Sequence, residues 1–172
     1  MKKPGFLLIS LVFILPAIGF FSCANGNTAR DTELTARDAG AAAASAEFAD
    51  HIGKEWELVE FQTGGRTVYI DRGRLRAEGL RDAFTISFQD GRVSGAGAPN
   101  RFFGPYTAGD NQSLSIGTLA STMMASIFEP AELREHDYFS YLSRVTRWEI
   151  RQGRLELHST GADGGPLVLI FQ

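Results

Sequence analysis

Hydrophobic and polar positions alternate in several short stretches of the chain after residue 50. In "EWELVEF", the side chains of Trp56 and Leu58 fall on one face, and "FTISF" places its aromatic and aliphatic residues on one face in the same way. This period of two predicts half-buried strands. The Asp90–Gly91 pair after the second stretch is typical of a type I′ hairpin turn, so "RVSG" is predicted to return as its partner strand.

Further strands are predicted at "NRFFGPYTA", "SLSIG", "TRWEI", "RLELHS" and "PLVLIF". Nineteen glycines, six prolines and thirteen phenylalanines suit a fold that is rich in strands and turns. The polar segment 71–83 carries four arginines diluted by acidic residues and is predicted to be a solvated loop. The pattern as a whole predicts an α+β fold, in which a largely antiparallel, strongly bent sheet wraps on helical elements.

A helical region is predicted over 121–145, either as two helices or as one helix kinked at Glu129, because Pro130 suits a first turn. Thr122 or Ser121 would cap its start. Its apolar cluster is expected to pack in the core, and the competing interpretation is a groove for an apolar ligand. The cluster comprises Met123, Met124, Ile127 and Phe128.

The N-terminal pattern differs from that of the rest of the chain. Lys2 and Lys3 precede an uncharged, mostly apolar run over 6–21. Sixteen residues at 1.5 Å each span about 24 Å, less than the roughly 30 Å of a bilayer core. Residues 1–22 are therefore predicted to be a secretory signal peptide, with a retained transmembrane anchor as the alternative.

The single cysteine of the chain, Cys23, directly follows this run, and "GFFSC" resembles a bacterial lipobox. The resemblance implies cleavage before Cys23 and acylation of that residue, with palmitate among the acyl groups. We therefore expect an exported protein that is lipid-anchored in the cell envelope, at the outer membrane. Ordinary cleavage after Ala24 would instead leave a chain that starts at Asn25 and is not anchored.

Residues 23–50 form a small, polar, alanine-rich segment that is predicted to be a lipidated tether, with a docked helix as the alternative. The folded domain is predicted over 51–172. The net charge of −3 becomes −5 once the two lysines of the signal peptide are removed (−3 − 2). This acidity argues against nucleic acid as a partner.

The stretch "SGAGAPNRF" carries the spacing Gly95-x-Gly97-x-x-Asn100, which is close to a dinucleotide-binding loop. Such a loop must open a helix, and Gly104 and Pro105 would break one at this point. The glycines are instead expected to permit a positive φ or a close approach of two backbones. Gly97 and Asn100 are therefore interpreted as architectural residues.

No catalytic, metal-binding or cofactor-binding set is predicted. His51, His136 and His158 lack metal-ligand spacing, and the pair formed by Glu132 and His136 is interpreted as a surface pair. A hydrolase is a third function class, and the sequence shows no assembled catalytic constellation for it.

The order of motifs resembles the META domain, also called the HslJ-like domain, of bacterial envelope lipoproteins. The resemblance covers 51–172 and is strongest at "GAPNRFFGPY" and "IGTLASTMMA". It implies a compact α+β or partial-barrel fold with one or two helices, and a set of structural motif residues. These are Gly97, Asn100, Arg101, Phe102, Tyr106 and Thr122.

Two positions depart from the family pattern, since Pro99 and Ser126 stand where cysteines are common. The domain is therefore expected to lack disulfide and thiol chemistry. The function that the resemblance implies is a non-enzymatic envelope lipoprotein with a binding or stress-related support role. It would use no cofactor, and its partners would be the membrane, through its lipid, and an envelope protein. The alternative is a carrier or chaperone for an apolar ligand or a lipidated partner.

Overall fold

A computed structural model describes residues 48–51, 53–125, 130 and 132–172. Within these residues the chain forms ten strands and two helices. The strands are β1 (Glu55–Thr63), β2 (Arg66–Tyr69), β3 (Thr85–Gln89), β4 (Arg92–Ala96), β5 (Arg101–Ala108), β6 (Leu114–Ile116), β7 (Ala120–Ser121), β8 (Arg147–Arg151), β9 (Arg154–Thr160) and β10 (Pro166–Phe171). The helices are α1 (Arg72–Ala77) and α2 (Glu135–Leu142).

The strands form one antiparallel sheet in the order β6-β5-β4-β3-β1-β10-β9-β8, with β2 added to β1 and β7 added to β5. The two ends of this sheet meet beside β8. The backbone N–H of Leu114 donates to the carbonyl of Thr146 at 3.0 Å, and that of Trp148 donates to Gln112 at 2.9 Å. The sheet is therefore a nearly closed barrel, which confirms the predicted fold class.

A break in the alternation of buried and exposed side chains lets β1 pair with two different sets of strands along its length. Its first residues pair with β3, and its later residues pair with β10 on one side and β2 on the other. The register with β10 shifts between Leu58 and Glu60, which turns Phe61 inward, so that Leu58 and Phe61 are both buried. A bulge re-aims side chains in this way.

The barrel interior is filled with aromatic and aliphatic side chains, including Trp56 and Trp148. Phe48 belongs to this core, although it lies three residues before the predicted start of the domain. Its ring lies 4.9 Å from that of Trp148 and 5.0 Å from that of Phe88, between ring centroids. Helix α2 closes the core from one side, since its fully buried Tyr138 donates a 3.0 Å hydrogen bond to the carbonyl of Thr85.

The segment 71–83 is not the predicted solvated loop, because it contains α1. Asp71 caps this helix by accepting from the backbone N–H of Arg74 at 2.9 Å. Arg72 is buried and donates to the carbonyls of Ala83 at 2.6 Å and Arg81 at 3.0 Å. Burial lowers the pKa of the Arg72 guanidinium, and an ion pair with Glu57 at 3.3 Å opposes that effect.

The prediction of a helix beginning at Ser121 is wrong. Ala120–Ser121 forms β7, and the residues up to Ala125 are not helical. Met123 and Met124 are exposed, with 98% and 60% of their surface accessible, so they do not pack in the core. The prediction for Ile127 and Phe128 lies outside the described residues.

Candidate functional site

Asn100, in the loop between β4 and β5, ties three parts of the chain together. Its Oδ1 accepts from the hydroxyl of Thr122 at 2.8 Å and from the backbone N–H of Met124 at 2.6 Å. Its Nδ2 donates to the carbonyl of Met124 at 3.2 Å and to Oε2 of Glu135 at 2.7 Å. The side chain thereby fixes the segment after β7 in a non-helical form.

Glu135, the first residue of α2, completes this arrangement. Its Oε1 accepts from the backbone N–H groups of Ala98 at 2.7 Å and Asn100 at 2.6 Å. We call the set Asn100, Thr122, Met124 and Glu135 the clasp. Every polar atom of the Asn100 side chain has a partner within the clasp, which gives it the character of an architectural element.

Gly97 allows the clasp to form through close approach. Its φ is not positive, but a Cβ at this position would lie 2.6 Å from Cγ and Oε1 of Glu135 and 2.9 Å from Cζ of Phe139. Any larger residue would push α2 away from the loop. The peptide bond between Ala98 and Pro99 in the same loop is cis.

The other motif residues take different places. Phe102 is buried, with its ring 5.2 Å from that of Phe139 on α2. Tyr106 is half-buried against Phe88 at 5.1 Å, and burial raises the pKa of its hydroxyl. Arg101 offers its backbone N–H to the hydroxyl of Thr122 at 3.1 Å, and its side chain is exposed. Cys23 lies outside the described residues.

The prediction that Thr122 caps a helix is wrong. Thr122 joins the edge of β5 instead, because its hydroxyl accepts from Arg101 and its backbone N–H donates to the carbonyl of Arg101 at 3.0 Å. Sequence analysis missed Glu135 altogether. The available signal was an acidic residue at the start of a helix, a common position for one that accepts from backbone N–H groups.

A shallow groove of about 540 Å³ crosses the outer face of β1, β3, β4 and β5. We call it the outer groove. Its floor is made of small residues that include Ser87 and Ser94, and Arg92, Arg101 and Phe103 rise at its sides. A second, mainly apolar hollow of about 340 Å³ adjoins it, also lined by Arg92 and Phe103.

Phe103 and the two arginines are the distinctive side chains of the outer groove. Phe103 is 46% exposed, and Cζ of Arg92 lies 4.2 Å from its ring centroid. Arg101 precedes Phe103 by two residues on β5 and so shares its face. Among the described residues neither Arg92 nor Arg101 forms an ion pair.

A polar cluster on β8 and β9 brings together Glu149, Glu156 and His158, whose candidate ligand atoms all lie within 4.8 Å of one another. Arg147 and Arg151 already contact Glu149, at 2.6 and 2.9 Å. The hydrogen bond from Arg151 lowers the pKa of the Glu149 carboxyl. The cluster therefore has the geometry of an ion-pair network in which arginines balance the carboxylates.

His158 is the titratable centre of that network. Its Nε2 lies 3.7 Å from Glu149 and 4.0 Å from Glu156. Burial lowers the pKa of His158, the charge of Arg147 adds to that effect, and the two carboxylates oppose it. This cluster could not be predicted from the sequence, because its residues come together only when β8 pairs with β9. His136, by contrast, is exposed and lies 3.6 Å from Asp137.

Comparison with known proteins gives a family and a fold. The family model of the META domain matches residues 49–171. A protein from Burkholderia xenovorans solved by NMR has a similar fold, with a TM-score of 0.52 and 21% identity over 74% of this chain and 87% of that one.

A DUF4847 family protein from Bacteroides vulgatus ATCC 8482 also aligns, with a TM-score of 0.48 and 13% identity over 72% of this chain and 95% of that one. No curated protein matches the sequence. Within the described part of the chain, neither helix is long and apolar enough to span a membrane.

Proposed function

The chain belongs to the META domain family, and on this premise we propose that it is a non-enzymatic lipoprotein of the bacterial cell envelope whose domain binds another envelope component. The META domain is not a known enzyme family. Lipid on Cys23 would hold the protein at the outer membrane, and the chain between Cys23 and the core residue Phe48 would let the domain reach its partner. Two or more acyl chains anchor a protein stably where one does not.

The observation that carries the binding role is the outer groove. The barrel interior is filled by its own side chains, whereas Phe103 remains half-exposed beside two arginines without acidic partners in the described structure. Aromatic and arginine side chains are enriched where proteins bind partners. The polar groups of Asn100, by contrast, are occupied within the clasp.

The alternative role, a carrier or chaperone for an apolar ligand or a lipidated partner, would be favoured by a pocket lined by Met123, Met124, Phe128 and aromatic residues, of which Phe128 lies outside the described residues. Met123 and Met124 lie exposed on the segment that Asn100 holds. The geometry therefore favours a surface that binds a partner over an interior that encloses a ligand.

Anchoring is tested by labelling cells with a palmitate analogue and separating detergent and aqueous phases. The full chain should take up label and enter the detergent phase, and Cys23→Ala should do neither. Ser22→Ala keeps a small residue before the cysteine and is the matched control, which should behave as the unaltered chain. An unlabelled parent chain, or a labelled Cys23→Ala variant, would contradict the proposal.

Binding is tested by chemical crosslinking in intact cells, followed by purification of the lipidated protein. Phe103→Ser should abolish recovery of the crosslinked component. Tyr69→Ser is the control, because Tyr69 is also exposed, at 69%, but lies on β2 away from the outer groove. Equal recovery from Phe103→Ser and the unaltered chain would show that the domain does not bind through this face.

A further inference from the structure

The charges of the outer groove differ in sign from those of the chain. The whole protein carries a net charge of −3, whereas the ionised residues that line the groove are Arg92 and Arg101 against Glu55, a net charge of +1 (2 − 1). Arginine presents a planar fork of donors that matches a carboxylate. In the described structure, Arg92 and Arg101 place two guanidinium groups without acidic partners on one face of an otherwise acidic protein. This face is therefore suited to an anionic ligand.

The floor of the groove offers side chains and not backbone for recognition. Ser94 lies between Ser87 on β3 and Phe103 on β5, and the ladders on both sides of β4 are formed. A peptide therefore cannot add to these strands through main-chain hydrogen bonds, the usual source of affinity when an extended peptide joins a sheet. What remains available is hydroxyl, guanidinium and carboxylate groups around an aromatic ring.

We propose that the outer groove binds a saccharide that carries a carboxylate, an inference that rests on the proposed binding role of this face. Arg92 and Arg101 bind the carboxylate. Ser87 and Ser94 exchange hydrogen bonds with ring hydroxyls, and Glu55 accepts from a hydroxyl at the far end. The C–H face of a sugar ring packs on Phe103, whose ring is held by the Arg92 guanidinium 4.2 Å away.

The net charge of the groove favours a carboxylate over a phosphate. Glu55 lies on the same face and is paired with Ser87 across β1 and β3. It would repel the second charge of a phosphate monoester, while a carboxylate brings only one. The ligand class is thus a hydroxyl-rich saccharide that carries a single carboxylate, and no phosphate, on the sugar ring seated in the groove, and that has an apolar ring face.

The test is an NMR titration of the ¹⁵N-labelled, mature, lipidated protein in detergent micelles with tetragalacturonate as the probe. Saturable shifts are expected at the amides of Ser94 and Phe103. Arg101→Gln and Arg92→Gln should each weaken binding roughly tenfold, as expected for the loss of one charge-assisted contact. Arg101→Lys should bind more weakly than the parent chain because it keeps the charge and loses the fork.

Arg66→Gln is the control, since Arg66 is exposed on β2 and outside the outer groove. It should bind as the parent chain does, and unchanged melting temperatures of all variants would show that they fold. Maltotetraose, a neutral saccharide, should give no saturable shifts. Binding should weaken in high salt because the site is exposed.

Four results would overturn the inference: no saturable shift with tetragalacturonate, equal binding of maltotetraose, tighter binding of glucose 6-phosphate, or equal binding of hexaglutamate. If one of these results occurs while Phe103→Ser still abolishes recovery of the crosslinked component in cells, the assignment of a saccharide ligand is wrong. The proposed binding role of this face is then retained. If Phe103→Ser leaves that crosslink unchanged, the binding role fails as well.

Discussion

Glu135→Ala is the substitution that most directly probes how the clasp holds the fold. It removes the acceptor of three hydrogen bonds, from the backbone N–H groups of Ala98 and Asn100 and from Nδ2 of Asn100, at 2.7, 2.6 and 2.7 Å. A hydrogen bond to a charged group contributes roughly 1.5–3 kcal/mol. Since the clasp is only partly buried and water can replace some partners, we expect a total loss of about 2–4 kcal/mol.

Glu135→Gln should cost less, about 1–2 kcal/mol, because an amide oxygen can keep the two backbone N–H groups while its nitrogen faces Nδ2 of Asn100. The assay is urea unfolding, followed by the fluorescence of the buried Trp56 and Trp148. Asp137→Ala is the matched control on the same helix. Its pair with Arg134 lies at the surface, so the loss should stay below about 1 kcal/mol.

A double-mutant cycle with Asn100 distinguishes the loss of the clasp from a general destabilisation of α2. Because the two side chains share a hydrogen bond, Asn100→Ala and Glu135→Ala should be non-additive by about 0.5–3 kcal/mol in a double-mutant cycle. Additive losses would show that the two side chains are not coupled. A Glu135→Ala loss no larger than that of Asp137→Ala would show that the clasp does not stabilise the fold.

Three further substitutions test other parts of the structure. Gly97→Ala should lower the free energy of unfolding by about 1–3 kcal/mol, measured by urea melts, because its Cβ would lie 2.6 Å from Glu135; an unchanged midpoint would contradict the close approach. Burial raises the pKa of Tyr138, so its stabilisation is full below about pH 10 and is lost at higher pH. Tyr138→Phe should lower the free energy of unfolding by about 1 kcal/mol at neutral pH. It should also reduce the fall in melting temperature as the pH rises above about 10, and an unchanged fall would contradict this role of Tyr138. Burial lowers the pKa of His158 from 6.5, so its stabilisation is present above that pH and lost as the pH falls. His158→Gln should therefore reduce the loss of stability as the pH falls below about 6.5. A greater loss of stability would show that the pKa of His158 is shifted in the opposite direction.

Local signals in the sequence were sufficient for the strands and their hairpins. The alternation of "FTISF" predicted β3, and Asp90–Gly91 predicted the turn to β4. Both turn residues have positive φ, 49° and 75°, as a type I′ turn requires. The regular alternation of β9 was equally visible, because one of its faces packs on the core.

Contacts distant in sequence decided what the pattern could not show. The cluster formed by Met123, Met124, Ile127 and Phe128 has helical spacing in the sequence. Asn100 nevertheless holds Met124 through both its backbone N–H and its carbonyl. That capture overrides local propensity. Arg72 is buried only because carbonyls of the following loop and Glu57 meet its guanidinium.

The candidate sites were even less accessible to sequence reasoning. Asn100 was interpreted as an architectural residue from its own motif, but its hydrogen-bond partner Glu135 lies 35 residues away, and no local feature links the two. The outer groove depends on the register that places Ser94 between Ser87 and Phe103. Register follows from the buried face and the hairpin turns, so it emerges only when the sheet is assembled.

The proposed function requires the lipid-anchored domain to bind an envelope component through the outer groove. The most direct measurement is photo-crosslinking in living cells, with a photoreactive amino acid placed at position 103 of the lipidated chain, and at position 69 for comparison. We expect a discrete adduct from position 103 that is lost in Arg101→Gln, and none from position 69. No adduct from position 103, or the same adduct from both positions, would contradict it.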